Sequence, residues 1–287
     1  MNGAAPENSS AAFCVDLVRN HDFENYAAAI FAPAHCRRAL LALHAFNVEI
    51  VRVREQITQP LPGEIRLQWW IDVLAGAGYG GVEGNPVAAE LLLAIRDHDL
   101  PVERLSRLIE EHQFDLYNDP MPDMAMLERY LGNTSCTLFL LAARIVGHQS
   151  GETGHLARHA GLARGIAQVI AALGPDASRR QSFVPVQLLE QHGCDLKQVF
   201  AGQDTPPLRA TLRELADVAQ SHLDTALALL QDQPPVSRAV FLPLALVRPV
   251  LSRMARADVD PFVPQAASRL RILWTLWRAS RTTTFRG

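Results

Sequence analysis

Helical periodicity is the feature that most constrains how this chain of 287 residues can fold. Apolar residues recur at spacings of three and four almost throughout, whereas the alternation typical of strands is rare. In the segment PVERLSRLIEEHQFDLY, for example, Val102, Leu105, Leu108 and Ile109 share one helical stripe. The pattern predicts an all-α protein whose helices are joined by short loops.

Proline and glycine residues divide this pattern into separate helices. Pro86 follows Asn85 and suits the first position of a helix, and Gly174 with Pro175 ends another one. The main predicted helices lie at roughly 34–56, 63–75, 86–99, 101–117, 123–146, 152–173, 207–232, 236–257 and 262–281. We expect a flexible N-terminal tail over 1–20, one all-α domain over 21–281 and a basic C-terminal tail over 282–287.

The composition indicates a soluble globular protein, because 48% of the residues are hydrophobic, 20% are charged and the net charge is −3. A near-neutral charge argues against a nucleic-acid partner, since proteins that bind nucleic acid carry a strong basic excess. Lys197 is the only lysine, so almost every positive side chain is a planar guanidinium that can bind an anion through two parallel hydrogen bonds.

Cysteine usage and the N-terminus favour a reducing compartment. The four cysteines lie far apart without a C-x-x-C pair, which argues against a disulfide framework or a zinc site. The stretch MNGAAPENSSAAF lacks the features of a secretory signal and the arginines of a mitochondrial presequence, and no apolar run reaches the roughly 18 residues of a membrane span. We expect a cytoplasmic protein, with peripheral contact with the inner membrane left open.

Two short motifs match functional patterns only formally. Residues 76–81, GAGYGG, fit G-x-G-x-x-G, but the dinucleotide fingerprint needs a preceding strand, and a tryptophan-rich helix precedes this stretch. His155 and His159 have a spacing that can chelate zinc, but no third ligand is obvious. We interpret the first as a loop between helices and the second as a solvated pair on a helix surface.

The C-terminal segment 265–287 contains no acidic residue. Its basic residues are Arg269, Arg271, Arg278, Arg281 and Arg286. Leu270, Leu273, Trp274 and Trp277 form an apolar face with aromatic residues of the kind found at membrane interfaces. The pattern is compatible with an amphipathic helix on an anionic membrane surface and with a last core helix that carries a basic tail.

An ordered series of segments carries a resemblance to a known family. The segments are RRALLALHAFNVEIVRVRE, LQWWIDVLAG, NPVAAELLLAIRDHDLP, DLYNDP, LERYLGNTS and SRRQSFVPVQLLEQHG. Together, over roughly residues 22–280, they resemble the squalene/phytoene synthases, which join two prenyl diphosphates head to head. The resemblance implies a single-domain helical bundle of the isoprenoid synthase type around a central pocket.

The family's chemistry rests on two acidic motifs that hold magnesium ions against the substrate diphosphate, and this chain departs from both. In the first motif, Val51 and Arg52 stand where the family has adjacent aspartates, and only Glu55 remains acidic. In the second, Ala172 replaces one acid and Asp176 remains. Two unit charges about 4 Å apart interact by roughly 4 kcal/mol at an effective dielectric constant near 20, so an arginine there repels a cation strongly. We therefore predict no catalytic residues, no metal and no cofactor.

The residues left at these positions suggest two interpretations. Glu49, Arg52 and Glu55 can pair along the helix at i+3 spacing, which gives a self-neutralised, purely structural seam. Alternatively, Arg52 binds a phosphate directly, together with two arginines of the SRRQSF segment. The candidate ligand-binding residues are therefore Glu49, Arg52, Glu55, Asp176, Arg179 and Arg180.

One branch of the family, the assembly factors of respiratory complex I, also has an AFNVE-type stretch and an SRR-x-x-F-x-P segment. This resemblance implies a non-catalytic protein that assists complex I assembly at the inner membrane, with complex I subunits or assembly intermediates as partners. Two alternatives stay open. One is a prenyl transferase that uses magnesium through Glu49, Glu55, Asp115 and Asp176, and the other is a metal-independent binder of an isoprenoid or lipid phosphate.

Overall fold

The computed structural model describes residues 4–77, 84–148, 151–254, 256, 258–264, 267–282 and 285, with side chains from residue 9 onward. Every regular element in these ranges is helical, which confirms the all-α prediction. The α-helices are α1 (Ala4–His21), α2 (Phe23–Ala29), α3 (Ala34–Val53), α4 (Pro60–Leu74), α5 (Pro86–His98), α6 (Val102–Glu111), α7 (Met124–Asn133), α8 (Ser135–Ile145), α9 (Gly151–Ala171), α10 (Leu173–Ser178), α11 (Val186–Gln191), α12 (Leu196–Phe200), α13 (Pro206–Gln231), α14 (Pro235–Phe241), α15 (Val247–Met254) and α16 (Arg269–Ser280).

Two sequence predictions fall mainly outside the described residues. The G-x-G-x-x-G match lies outside them from position 78 onward, and the predicted tail 282–287 is described only at residues 282 and 285. The remaining residues divide by their contacts into two compact units. Unit 1 comprises Met1–Tyr117, Thr137–Thr153 and Gln233–Leu242, and unit 2 comprises Asn118–Cys136, Gly154–Asp232 and Pro243–Gly287.

Unit 1 is built around α3, which packs against both α1 and α5. Leu40, Leu43, Phe46 and Ile50 recur at helical spacing along α3 and are buried, so burial of this stripe explains why the long helix forms where the sequence predicts it. Asn85 caps α5 as expected, because its side-chain oxygen accepts hydrogen bonds from two backbone amides of the first turn.

The N-terminal segment is helical, and the prediction of a flexible tail over 1–20 is wrong for α1. Cys14, Leu17 and Val18 are buried at i, i+3 and i+4, and α1 packs against α3 and α5. Burial and the nearby charge of Glu90 raise the pKa of the Cys14 thiol to about 12. Asn, Ser and Asp residues weaken the apolar pattern of α1, so tertiary contact rather than local propensity orders it.

Several long predicted helices are interrupted. The predicted helix 123–146 is divided into α7 and α8 at Thr134, whose backbone leaves helical geometry (φ −102°, ψ −90°). Its hydroxyl donates to the carbonyl oxygen of Tyr130 at 2.7 Å, which is the local competition that threonine offers a helix. The last predicted helix, 262–281, starts only at Arg269, where the Ser268 side chain accepts a hydrogen bond from a first-turn amide.

One segment of the described chain, Pro235–Met254, is long and apolar enough to cross a membrane by length and composition, with a mean hydropathy of 1.3. The expectation that no segment is apolar enough is wrong by this measure. The segment is not one regular α-helix, because the 3-10 helix Leu242–Leu246 separates α14 from α15. Since 44% of its apolar window is buried within the protein, as in a core helix, this match is weak support for a membrane span.

Candidate functional site

The candidate residues of unit 1 lie at the C-terminal end of α3 and in the following turn. Glu49 accepts a hydrogen bond from Arg66 of α4 (Nη2 to Oε2, 2.7 Å), and the other terminal nitrogen of Arg66 donates to Gln56 (2.6 Å). The predicted pairing of Glu49 with Arg52 along α3 is therefore wrong. The Arg66 guanidinium of the neighbouring helix therefore makes two hydrogen bonds, one to the Glu49 carboxylate and one to the side chain of Gln56.

Arg52 and Glu55 take no part in this interaction. The Arg52 side chain is partly exposed and has no hydrogen-bond or ion-pair partner within the described ranges, while Glu55 is exposed in the 3-10 turn Arg54–Gln56. The Arg52 guanidinium can therefore bind an anion from solution, and the Glu55 carboxylate is exposed to solvent.

The candidate residues of unit 2 lie around α10. Ala172 is the residue before this helix, and Asp176 within it is buried and accepts a hydrogen bond from Arg179 (Nη2 to Oδ1, 2.8 Å). Arg180 is exposed and adopts a left-handed backbone conformation (φ 57°) in the turn that ends the helix. Of the two predicted arginines, Arg179 is therefore occupied by Asp176, and Arg180 is turned to solvent.

The carboxylates that remain do not fit the magnesium cluster of a prenyl transferase. Glu49 and Asp176 are each bound by an arginine, and Asp115 is buried and hydrogen-bonded to Nδ1 of His112 at 2.7 Å. Within the described part of the chain, no group of three or more His, Cys, Asp or Glu side chains could hold a metal ion. Hard divalent cations need several carboxylate or carbonyl oxygens, and these side chains are engaged with cations or an imidazole instead.

His155 and His159, which their spacing predicts to form a pair, do not pair with each other. His155 is exposed, whereas Nδ1 of His159 lies 2.9 Å from Nδ1 of His222 on α13. Burial lowers the pKa of both His159 and His222, so one neutral imidazole can donate to the other at neutral pH. Sequence spacing cannot reveal His222, because it lies 63 positions further along the chain.

Unit 2 also contains a cavity that the sequence patterns did not predict. A cavity of about 580 Å³ is lined by residues of α13, α15 and α16. The arginines that line it within the described part of the chain are Arg248, Arg253, Arg256, Arg271 and Arg278. The sequence drew attention only to the last two, because the other three belong to a stretch that reads as an ordinary core helix.

The fold and these residues define an all-helical protein of the isoprenoid synthase type in which three acids of the two motifs are replaced and the remaining Asp176 is paired with an arginine. Residues 18–278 match the family described as squalene/phytoene synthase, and the chain belongs to this family. The crystal structure of a squalene synthase from Alicyclobacillus acidocaldarius is similar, with a TM-score of 0.74 at 21% identity over 86% of this chain and 93% of that chain. This likeness confirms the predicted fold.

Two relatives are similar in sequence over most of the chain. The Mus musculus protein named NADH dehydrogenase (ubiquinone) complex I, assembly factor 6 is 30% identical over 261 residues, which cover 91% of this chain and 78% of the relative. The Homo sapiens protein of the same name is 28% identical over the same coverage. The resemblance to the assembly-factor branch that the sequence motifs indicated is thereby confirmed.

Proposed function

We propose that this protein is a non-catalytic member of the squalene/phytoene synthase family that assists the assembly of respiratory complex I. The observation that carries the proposal is the replacement of the family's metal-binding acids by Val51, Arg52 and Ala172, in a chain similar to complex I assembly factors over 91% of its length. Fold likeness alone would favour a synthase equally, so the side chains at the site decide between the two.

The remaining acidic residues support this function physically. Arg179 donates a charge-assisted hydrogen bond to Asp176 of the former second motif, and Arg66 donates one to Glu49, which lies two residues before the replaced position Val51. A magnesium ion would have to displace a guanidinium from Glu49 or Asp176, and Glu55, the remaining acid of the first motif, offers only a single exposed carboxylate. These two ion pairs stabilise the ends of helices. Such an arrangement suits a protein that acts by binding a partner rather than an enzyme that ionises a diphosphate.

The proposed partners are complex I subunits or assembly intermediates, and the proposed location is the cytoplasmic side of the inner membrane, in peripheral contact with it. The proposal includes no cofactor and no nucleic acid. It rests on the names of the similar proteins and on the net charge of −3, which leaves no general attraction to a polyanion.

Deleting the gene is expected to lower the amount and the NADH oxidation activity of complex I several-fold. Wild-type protein is expected to restore both, and so is a Glu55→Gln/Asp176→Asn variant, because the proposed function needs no metal-binding acid. The measurement is native-gel activity of membranes together with immunodetection of the variant. In parallel, purified wild-type protein with farnesyl or geranylgeranyl diphosphate and magnesium is expected to release no pyrophosphate above background.

The opposite pattern would identify an enzyme. Magnesium-dependent pyrophosphate release that the double variant loses, with complex I at normal levels in the deletion strain, would overturn the proposal. The amount of each variant in the cell must match wild type, since Asp176 is buried and its replacement has a structural cost of its own.

A metal-independent binder of an isoprenoid or lipid phosphate is the second candidate function, and the free side chain of Arg52 favours it. Farnesyl diphosphate with a chelator present is then expected to raise the melting temperature, since a ligand at 100 times its Kd stabilises a protein by about 2.7 kcal/mol. Arg52→Ala is expected to abolish the shift, and Arg104→Ala, which removes an exposed arginine of α6 in the same unit, to retain it. An equal shift in both variants would exclude binding at Arg52.

A further inference from the structure

The arginine-lined cavity of unit 2 combines a cationic wall with an apolar floor. Leu223, Leu227 and Leu244 contribute aliphatic surface, and Trp274 contributes an aromatic side chain, alongside the five arginines of α15, α16 and the residues that follow α15. Among the described residues, no acidic side chain lines the cavity. A ligand that fits must therefore offer negative charge and an apolar part at the same time.

The charges of this cavity are only partly compensated by the protein. Arg248 pairs with Asp224 at 2.7 Å, and Arg256 pairs with Asp258 at 2.6 Å. The side chains of Arg271 and Arg278 make no hydrogen bond or ion pair with any described residue. They lie seven positions apart on α16, hence on one face about two turns from each other, and both are exposed. Two uncommitted guanidinium groups on one wall suit a phosphate ester, which they can bind in a bidentate manner.

Helix α16 also carries an apolar edge that the protein leaves uncovered. Leu270, Trp274 and Trp277 are 79%, 58% and 41% exposed, at spacings of four and three that place them on one side of the helix. The two indole rings stack with centroids 5.0 Å apart, and the Arg281 guanidinium lies 4.7 Å from the centre of the Trp277 ring. Exposed tryptophans flanked by arginines are typical of helices at a membrane interface.

The C-terminal helix has a buried face and an exposed edge. Ile272, Leu276 and Ala279 are buried and serve the core of unit 2, while the exposed edge faces solvent. A core helix alone does not account for two adjacent exposed tryptophans, and a free organic phosphate does not account for the apolar edge beside the cationic wall. An anionic phospholipid accounts for both.

We propose that the cavity between α13, α15 and α16 binds the phosphate headgroup of an anionic phospholipid while Leu270, Trp274 and Trp277 enter the membrane interface beside it. Arg271 and Arg278 bind the phosphate, and the aliphatic residues of the cavity contact the first methylene groups of an acyl chain. The inference deepens the proposed membrane location and rests on it, but it does not depend on complex I, because binding is measured on the purified protein.

The test is sedimentation of the full-length protein with vesicles of phosphatidylcholine alone or mixed with phosphatidylglycerol. Wild-type protein is expected to bind only the mixed vesicles. Since each arginine near an anionic surface contributes about 1 kcal/mol, Arg271→Gln/Arg278→Gln is expected to weaken binding roughly thirty-fold. The matched control is Lys197→Gln/Arg213→Gln, which removes the same charge from exposed positions elsewhere in unit 2 and is expected to bind like wild type.

Two further measurements separate the headgroup from its alternatives. Trp274→Ser/Trp277→Ser is expected to weaken vesicle binding at temperatures where circular dichroism shows the variant to be folded, because both rings lie at the surface and lose only part of their contacts with the protein. Short-chain phosphatidylglycerol, unlike inorganic phosphate at equal ionic strength, is expected to raise the melting temperature of wild type and not of Arg271→Gln/Arg278→Gln. Equal losses in the arginine variant and its matched control, or equal stabilisation by inorganic phosphate, would overturn the proposal. Loss of complex I with intact vesicle binding concerns the assembly function alone.

Discussion

Replacement of Arg38 by methionine is expected to lower the free energy of unfolding by roughly 3 kcal/mol. The carboxylate of Glu90 is buried, with the residue 2% exposed, and its two oxygens accept from Nε and Nη2 of Arg38 at 2.7 and 2.8 Å. Without the guanidinium, a buried negative charge loses its bidentate partner. Arg38 is about half exposed, so water replaces part of the interaction, and the expected loss lies at the lower end of the range for broken buried pairs.

Urea denaturation followed by circular dichroism measures this effect. The double variant Arg38→Met/Glu90→Met is expected to recover most of the stability, because it removes the buried charge together with its partner. Arg96→Met on the same helix as Glu90 is the control: its pair with Asp97 is exposed, so the expected change is within about 0.5 kcal/mol. Losses that simply add in the double variant would show that the pair does not act as a unit.

Substitution of Gly161 by alanine is expected to destabilise unit 2 by roughly 1–3 kcal/mol. A Cβ atom at this position of α9 would lie 2.4 Å from Cα, 2.5 Å from N and 2.6 Å from Sγ of Cys136. Two of these atoms belong to the backbone, so relief requires the two segments to move apart rather than a side chain to rotate. The steric cost outweighs the gain in helix propensity of about 1 kcal/mol that alanine has over glycine.

Gly154→Ala is the matched control on the same helix. Nothing lies within 4 Å of a Cβ atom at Gly154, so this substitution is expected to be neutral or to stabilise the protein by up to about 1 kcal/mol. Thermal melts of the two variants and of wild type measure the difference. Indistinguishable melting temperatures for the two variants would contradict the close approach of α9 to Cys136.

Much of the fold follows from local pattern. The extent of α3 and the capped start of α5 were predictable, because periodicity and the Asn-Pro signal act within a few residues of one another. The prediction that Gly174-Pro175 ends a helix is wrong, because α9 ends at Ala171 and both residues lie in the first turn of α10, where proline is tolerated. The helix α1 was missed, since its buried residues Cys14, Leu17 and Val18 are separated by polar side chains and gain their stability from α3 and α5.

The candidate site was likewise predictable only in part from the sequence. The loss of the acids at Val51, Arg52 and Ala172 can be read from residue identities alone. The partner of Glu49 cannot, because Arg52 is closer in sequence but Arg66 of α4 makes the hydrogen bond. Asp176 and Arg179 pair at i+3, so this contact lies within the reach of sequence reasoning, although the two were predicted as parts of one ligand site rather than as partners.

Residue identity and spacing alone predicted that this protein is helical, and its ordered segments carry a resemblance to the squalene/phytoene synthase family. Three metal-binding acids of that family are replaced here by Val51, Arg52 and Ala172, which residue identity alone reveals. The tertiary structure alone assigns Arg66 to Glu49 and gathers Arg248, Arg271 and Arg278 around one cavity. These groups come from helices far apart in the chain, and which of them meet depends on how the buried faces pack. Packing is a property of the whole core, so no short window of sequence encodes it.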